Sequence, residues 1–373
     1  MSALRSILTP AATLRLLLGW GAVVVLSGPL LAAPAAAPLL LGALAAIVGV
    51  ILVCAFGVAH EAEHLARRLG DPYGSLVLTL SIVLIEVVLI SAVMLGPGDH
   101  TAIARDSVMA VAMIILNAVV GLCLLVGGLR HRSLAPNRAG TTAYLAMLVV
   151  LVSLAFALPA VIGDDGAYTT GQVVVVVALT VVLYAFFLVR QMGPQAEDFR
   201  EVGPPVDGAP TRPVSVVRVI AEHRTEVLLR AGLLVVTVLP IVLLSHDMAA
   251  LLDDGLGRVG APVALAGVLI AMIVFLPESI TSVRAALRGE IQRVSNLCHG
   301  ALVSTVGLTI PSVLVIGMLT GQSVVLAESP ANLLLLGVSL LLTVTTFTAP
   351  RVTSVHGATH LAVFAVYGLA LFS

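Results

Sequence analysis

Lysine does not occur: all 19 basic residues are arginine. Charged residues make up 10% of the chain, against roughly 25% in soluble domains, which excludes an ordinary water-soluble globule. A net charge of −1 leaves no basic face to displace counterions from phosphate, so a nucleic-acid partner is excluded. The three cysteines, Cys54, Cys123 and Cys298, fall within or at the edge of apolar segments at unrelated spacings. They define neither a disulfide framework nor a zinc site, and small hydrophobic packing residues are expected there. A Gly-x-x-x-x-Gly-Lys-Ser/Thr phosphate loop is also missing, so no ATP site is visible.

What is there is apolar sequence, 59% of 373 residues, which predicts an all-α polytopic membrane protein. Stretches near the ~20 apolar residues needed to span a bilayer place helices at about 14–33, 37–58, 74–96, 107–129, 142–163 and 170–190. They resume at about 228–250, 261–284, 298–320, 331–349 and 356–372, eleven transmembrane helices in all. The first stretch is followed at once by a second, so it reads as a helix rather than a cleaved signal peptide. With the N-terminus in the cytoplasm, 17 arginines fall inside and only Arg105 and Arg258 outside, as the positive-inside rule requires. The expected topology is N-in and C-out in a bacterial inner membrane.

One long polar connection interrupts the pattern. Residues 191–226, with Gly193-Pro194, Gly203-Pro204-Pro205 and mixed charges, suit a solvated cytoplasmic linker. The expected organisation is a leading helix in 1–34, a first repeat in 35–190, the linker, and a second repeat in 227–373. Leu84-Ile85-Glu86 corresponds to Leu276-Pro277-Glu278, and Val120-Gly121-Leu122 to Val306-Gly307-Leu308, at offsets of 192 and 186 residues. Each five-helix half holds an odd number of spans, so the second enters the bilayer inverted. That is the plan of secondary transporters with a midplane site.

Glu86 and Glu278 alone among the 20 acidic residues lie well within apolar segments. An ionisable group at that depth costs roughly 2.5–3.5 kcal/mol on insertion scales and marks a functional site. Two carboxylates sharing a low-dielectric cavity hold a cation or take up protons; they do not rest empty and doubly charged. Alternating the two occupants is itself a coupling mechanism. A hard cation such as Ca²⁺ wants six to eight oxygens, so further donors are needed, and Ser81, Asn117, Ser304 and Thr305 are the candidates. Pro277 frees a backbone carbonyl one turn earlier and can break the helix there.

The run Leu69-Gly70-Asp71-Pro72-Tyr73-Gly74-Ser75-Leu76-Val77-Leu78-Thr79-Leu80-Ser81, leading on to Glu86, resembles the first signature of bacterial calcium/proton antiporters. These belong to the cation/proton exchangers of the calcium/cation antiporter superfamily. Leu276-Pro277-Glu278, then Gln292-Arg293, Asn296-Leu297 and Leu308-Thr309-Ile310-Pro311, resembles the second signature. The stretch His356-Gly357-Ala358-Thr359-His360-Leu361-Ala362-Val363-Phe364-Ala365 resembles the family's close. The resemblance implies that Glu86 and Glu278 bind the transported cation, although the Gly-Asn that precedes the glutamate elsewhere in the superfamily is replaced by Ile82-Val83-Leu84-Ile85 and Val274-Phe275-Leu276-Pro277. It matches Glu63 to a short acidic stretch before the first signature. It implies no resident cofactor, Ca²⁺ and H⁺ as cargo, and Na⁺ and K⁺ as further candidates.

A rival pattern precedes the first signature. His60-Glu61-Ala62-Glu63-His64 satisfies H-E-x-x-H, two histidines one turn apart with a glutamate base, as in zinc metalloproteases. Leu252-Asp253-Asp254-Gly255 is a loose counterpart to the third ligand of intramembrane proteases, but the predicted topology puts it on the opposite side of the bilayer. The alternative assignment for Glu63 and His64 is a titratable cytoplasmic mouth that attracts cations. His360, inside the last helix, is a candidate proton relay. Expected partners are the lipid bilayer and inorganic cations, with a homo-oligomer left open.

Overall fold

A computed structural model describes residues 9–26, 37–69, 73–94, 101–202, 224–262 and 264–372. Among the described residues the structure is helical, without strands; the only sheet-like contacts are isolated backbone bridges such as Leu134 with Val352. The long helices are α1 (Pro10–Leu26), α2 (Ala37–Leu69), α3 (Tyr73–Met94), α4 (Ile103–His131), α5 (Arg138–Ile162) and α6 (Thr170–Met192). They continue as α7 (Arg224–Arg258), α8 (Ala264–Arg288), α9 (Ile291–Thr320), α10 (Pro330–Thr348) and α11 (Ser354–Ala370). A helix thus lies over each apolar segment read from the sequence. Among the described residues, seven are long and apolar enough to cross a membrane, or eight if the bent α8 counts as one span.

Helix ends follow local chemistry. Thr169 and Gln172 form a capping box at the start of α6, and Ser329 caps α10 with Pro330 in its first turn. Gly321, at φ 72°, closes α9 in the left-handed region. The helices α2 and α7 overrun their apolar stretches. In α7 the extra turns are supported by charge pairs four residues apart, Glu226 with Arg230 and Asp254 with Arg258. An apolar-run criterion stops where the hydrocarbon stops, whereas a helix can continue into the interface.

The chain forms two compact units, residues 1–85 with 204–277 and residues 86–203 with 278–373. They cut across the two halves read from the sequence: α3 and α8 each pass from the first unit to the second, with Glu86 and Glu278 as the first residues on the far side. In the first unit α1 packs on α2 and α7, and α2 packs along α7. Gly19 permits the approach of α1, since a Cβ there would stand 3.0 Å from both Cys54 Sγ and Pro240 Cβ. The Trp20 indole N–H donates to the Val236 carbonyl at 3.3 Å.

In the second unit α9 packs against α4, α5 and α6 and is buried along most of its length. α11 lies on α4 through small residues: a Cβ at Gly128 would come within 2.3 Å of Ser354 N, and one at Gly357 within 2.3 Å of Leu125 N. Close backbone approach of this kind is how helices associate where lipid offers no hydrophobic gain. Two helices widen locally into π turns, α4 at Ile114–Val119 and α5 at Ser153–Ala157.

The early part of the predicted linker is largely solvent-accessible but anchored at one point. Phe199 is buried, edge-on to Tyr144 and Phe187, and its carbonyl accepts from Asn296 Nδ2 at 2.7 Å. Glu201 accepts from the Arg293 backbone N–H at 2.8 Å. One aromatic anchor among charged residues suffices to dock this stretch, and the polar average of the segment conceals it. Residues 203–223 lie outside the described residues.

Candidate cation-binding site

Glu86 lies on α3 and is buried, whereas Leu84 and Val88 of the same helix are exposed, so the helix turns the carboxylate inward. Thr305 of α9 donates its hydroxyl to Glu86 Oε2 at 2.6 Å. Glu86 Oε1 is buried and has no hydrogen-bond partner among the described residues. A buried carboxylate with one oxygen held and the other unsatisfied is costly when ionised and empty. A cation or a proton removes that cost.

Glu278 is also buried and belongs to the same unit. Its helix behaves as Pro277 predicts: α8 bends by 53° between Gly267–Ile273 and Phe275–Arg288. The proline ring removes an N–H and clashes with the carbonyl four residues back, at Ile273, where the first straight segment ends. Ser282, one turn beyond Glu278, accepts a long contact of 3.6 Å from the Cys298 thiol of α9.

The auxiliary candidates divide. Thr305 meets Glu86. Asn117 is fully buried in the π turn of α4; its Nδ2 donates to Ser339 Oγ of α10 at 2.7 Å, and its Oδ1 has no partner. Ser304 instead accepts from the Tyr184 hydroxyl of α6 at 2.9 Å. Ser81 is half-buried on α3, within the first unit. His360 is fully buried in α11 with Nε2 3.3 Å from Thr346 Oγ1. His64 is half-buried on α2, its ring edge-on to His60 at 4.7 Å, and the Glu63 side chain lies outside the described residues.

Ser339 and Tyr184 were missed in the sequence. Ser339 had a signal: with Thr343 and Thr346 it forms a polar stripe at helical spacing on a largely apolar helix, and all three are fully buried. A second polar chain runs through α9 and α5. Ser295 Oγ meets His299 Nδ1 at 2.9 Å and Thr141 Oγ1 at 3.1 Å, and Thr141 donates to Gln292 Oε1 at 3.2 Å.

The metalloprotease pattern finds no support. Glu61, which would be the base, is buried and ion-paired with Arg230 of α7, and a carboxylate held by a guanidinium does not activate water. No group of three His, Cys, Asp or Glu side chains placed to hold a metal occurs among the described residues. The Asp253 side chain lies outside them.

A helical membrane chain with buried glutamates, one of them held by a hydroxyl donor, has the make-up of a cation exchanger. The comparisons with known proteins agree. The family described as sodium/calcium exchanger protein matches residues 39–193 and 229–373, and the chain belongs to that family. It is 36% identical over 328 residues to the protein y4hA of Sinorhizobium fredii, covering 86% of this chain and 85% of that one. It is 31% identical over 337 residues to the sodium-potassium/proton antiporter ChaA of Escherichia coli (strain K12), covering 88% of each. Among solved structures the fold matches native YfkE at a TM-score of 0.66, with 15% identity, over 88% of this chain and 92% of that one. It matches the H⁺/Ca²⁺ exchanger CAX at 0.65, also with 15% identity, over 86% and 80%.

Proposed function

We propose that the chain is a proton-driven antiporter that exports Ca²⁺, with Na⁺ and K⁺ as competing cargo, and that Glu86 and Glu278 bind cation and protons in alternation. The observation that carries the reading is Glu86: buried, one oxygen held by Thr305 and the other without a partner. Such a carboxylate needs an occupant, and both a metal cation and a proton meet the need. Asn117 Oδ1, buried and likewise unsatisfied, is an oxygen donor suited to a hard cation.

The eleven-span, N-in arrangement in a bacterial inner membrane belongs to the same proposal, as do the two inverted repeats. The match of one family to two separate stretches supports the repeats. The distribution of the arginines supports the orientation. The names of the relatives point both ways on cargo, one to sodium and potassium and one to calcium, each against protons.

The test uses everted membrane vesicles with an acid interior reported by a pH dye. Addition of Ca²⁺, Na⁺ or K⁺ in turn is expected to release protons in the wild type. Glu86→Gln and Glu278→Gln are expected to abolish the response at normal protein levels in the membrane. Full transport by either variant would remove the two-glutamate site, and a wild type blind to all three cations would remove the antiporter reading.

A further inference from the structure

Another buried acid, besides Glu86, Glu278 and the ion-paired Glu61, lies in the segment joining α9 to α10. Glu328 is 6% exposed. Its Oε2 accepts from the Ser329 backbone N–H at 3.1 Å and from Asn332 Nδ2 at 2.8 Å, while Oε1 is buried without a hydrogen-bond partner among the described residues. The surrounding backbone is tied down. Val325 N donates to Thr101 O at 2.9 Å, Leu326 N and Ala327 N both donate to Gly166 O at 3.0 Å, and Glu328 N donates to Phe156 O at 3.2 Å. Three connections therefore meet at one end of the second unit, and a half-satisfied carboxyl is enclosed where they meet.

The charged groups that face it are few. Arg105 of α4 is the nearby cation, but its Nε binds Asp106 Oδ1 at 2.8 Å and its Nη1 binds the Ala327 carbonyl at 3.1 Å. Asp106 adds like charge, and Tyr367 of α11 is the remaining titratable neighbour. Arg105 is thus shared with Asp106 and the Ala327 carbonyl, and its charge opposes a metal cation at Oε1. A proton is the neutralising partner that fits.

We propose that Glu328 is a proton-binding site, distinct from Glu86 and Glu278, whose occupancy at Oε1 sets the pH dependence of exchange from the face where α9 ends. Uptake is simple addition: carboxylate plus proton gives the neutral acid, and the tied segment then encloses no net charge at that point. The link to transport is the segment itself, which connects the helix carrying Thr305 to the helix carrying Ser339. Its assignment to the extracytoplasmic face rests on the topology given under Proposed function.

Burial pushes the Glu328 carboxyl above its ordinary value, and the donors Asn332 and Ser329 and the charge of Arg105 pull it back by less. A carboxyl raised in the tied arrangement relative to a solvated one favours that arrangement while protonated. The preference is lost as pH rises through the raised value.

The experiment uses the full-length protein in lipid vesicles, with Glu328→Gln as the neutral isostere and Asn332→Ala as a second variant that keeps the acid. Infrared difference spectra between low and high pH are expected to show a protonated-carboxyl band that is smaller in Glu328→Gln, with Glu86 and Glu278 accounting for the remainder. In Asn332→Ala, which removes a donor to the carboxylate, the midpoint of that band is expected to move to higher pH. Exchange measured while pH is varied on the α9-end face alone is expected to show a step in the wild type that Glu328→Gln loses. Superimposable infrared spectra of wild type and Glu328→Gln would overturn the site; an unchanged exchange profile would overturn its tie to transport. A wild type without exchange would count against the antiporter reading, and the infrared titration would still decide whether Glu328 binds a proton.

Discussion

Replacing Thr305 by valine removes one hydroxyl and little else, because the two side chains are nearly the same volume and Thr305 is fully buried. The lost interaction is the 2.6 Å bond to Glu86 Oε2, and both carboxylate oxygens are then left without a donor. A hydrogen bond to a charged group contributes roughly 1.5–3 kcal/mol net. At about 1.4 kcal/mol per tenfold in binding, this predicts a KM for the transported cation raised about tenfold to a hundredfold. Thr305→Ser keeps the hydroxyl and is expected to stay within about threefold of wild type. Purified protein in lipid vesicles, with cation-triggered proton movement read at graded cation concentrations, gives both KM and maximal rate. A Thr305→Val variant that folds normally and shows a wild-type KM would refute the claim that this hydroxyl serves the site.

Two further predictions concern packing. Arg230→Met leaves Glu61 buried and uncompensated, at a cost of about 3 kcal/mol, and should lower the melting temperature in detergent. The double variant Arg230→Met with Glu61→Leu should recover much of that loss. Gly357→Ala puts a methyl group against the α4 backbone at Leu125 and Gly121, which should destabilise by about 1–3 kcal/mol through forced separation of α11 from α4. A thermal melt indistinguishable from wild type would show that the two helices are not held at that spacing.

Much of the fold was legible because a membrane chain writes its helices as uninterrupted apolar runs. Glu86 and Glu278 stood out for the same reason, as charges where charge is expensive. The bend of α8 was visible in Pro277, since a ring without an N–H acts on its own helix whatever surrounds it. Partners were harder to read, because no local rule states which helix a side chain will meet. The sequence marks Asn117 by polarity alone, and its bond to Ser339 depends on how α4 and α10 pack. Ser304 and Thr305 are adjacent, yet only Thr305 turns to Glu86 while Ser304 turns to Tyr184. Adjacent helical residues point about 100° apart, and the sequence does not say which direction holds the acid. Glu328 was passed over because it lies in a connecting segment, where an acid is ordinarily solvated; three tied backbone segments bury it instead.

The π turn in α4 bears on the ancestry of the chain. A π turn accommodates one residue more than the α turns around it, so it is the trace that a single insertion would leave in a helix. Val120-Gly121-Leu122 and Val306-Gly307-Leu308 align at a fixed offset of 186 residues, which by itself would set Asn117 opposite Val303. Removing one residue from the turn Ile114–Val119 slides Asn117 opposite Ser304, polar against polar. If the halves arose by duplication, the turn marks a slip of one position within the helix, separate from the change of offset from 192 to 186 between Glu86 and Val120.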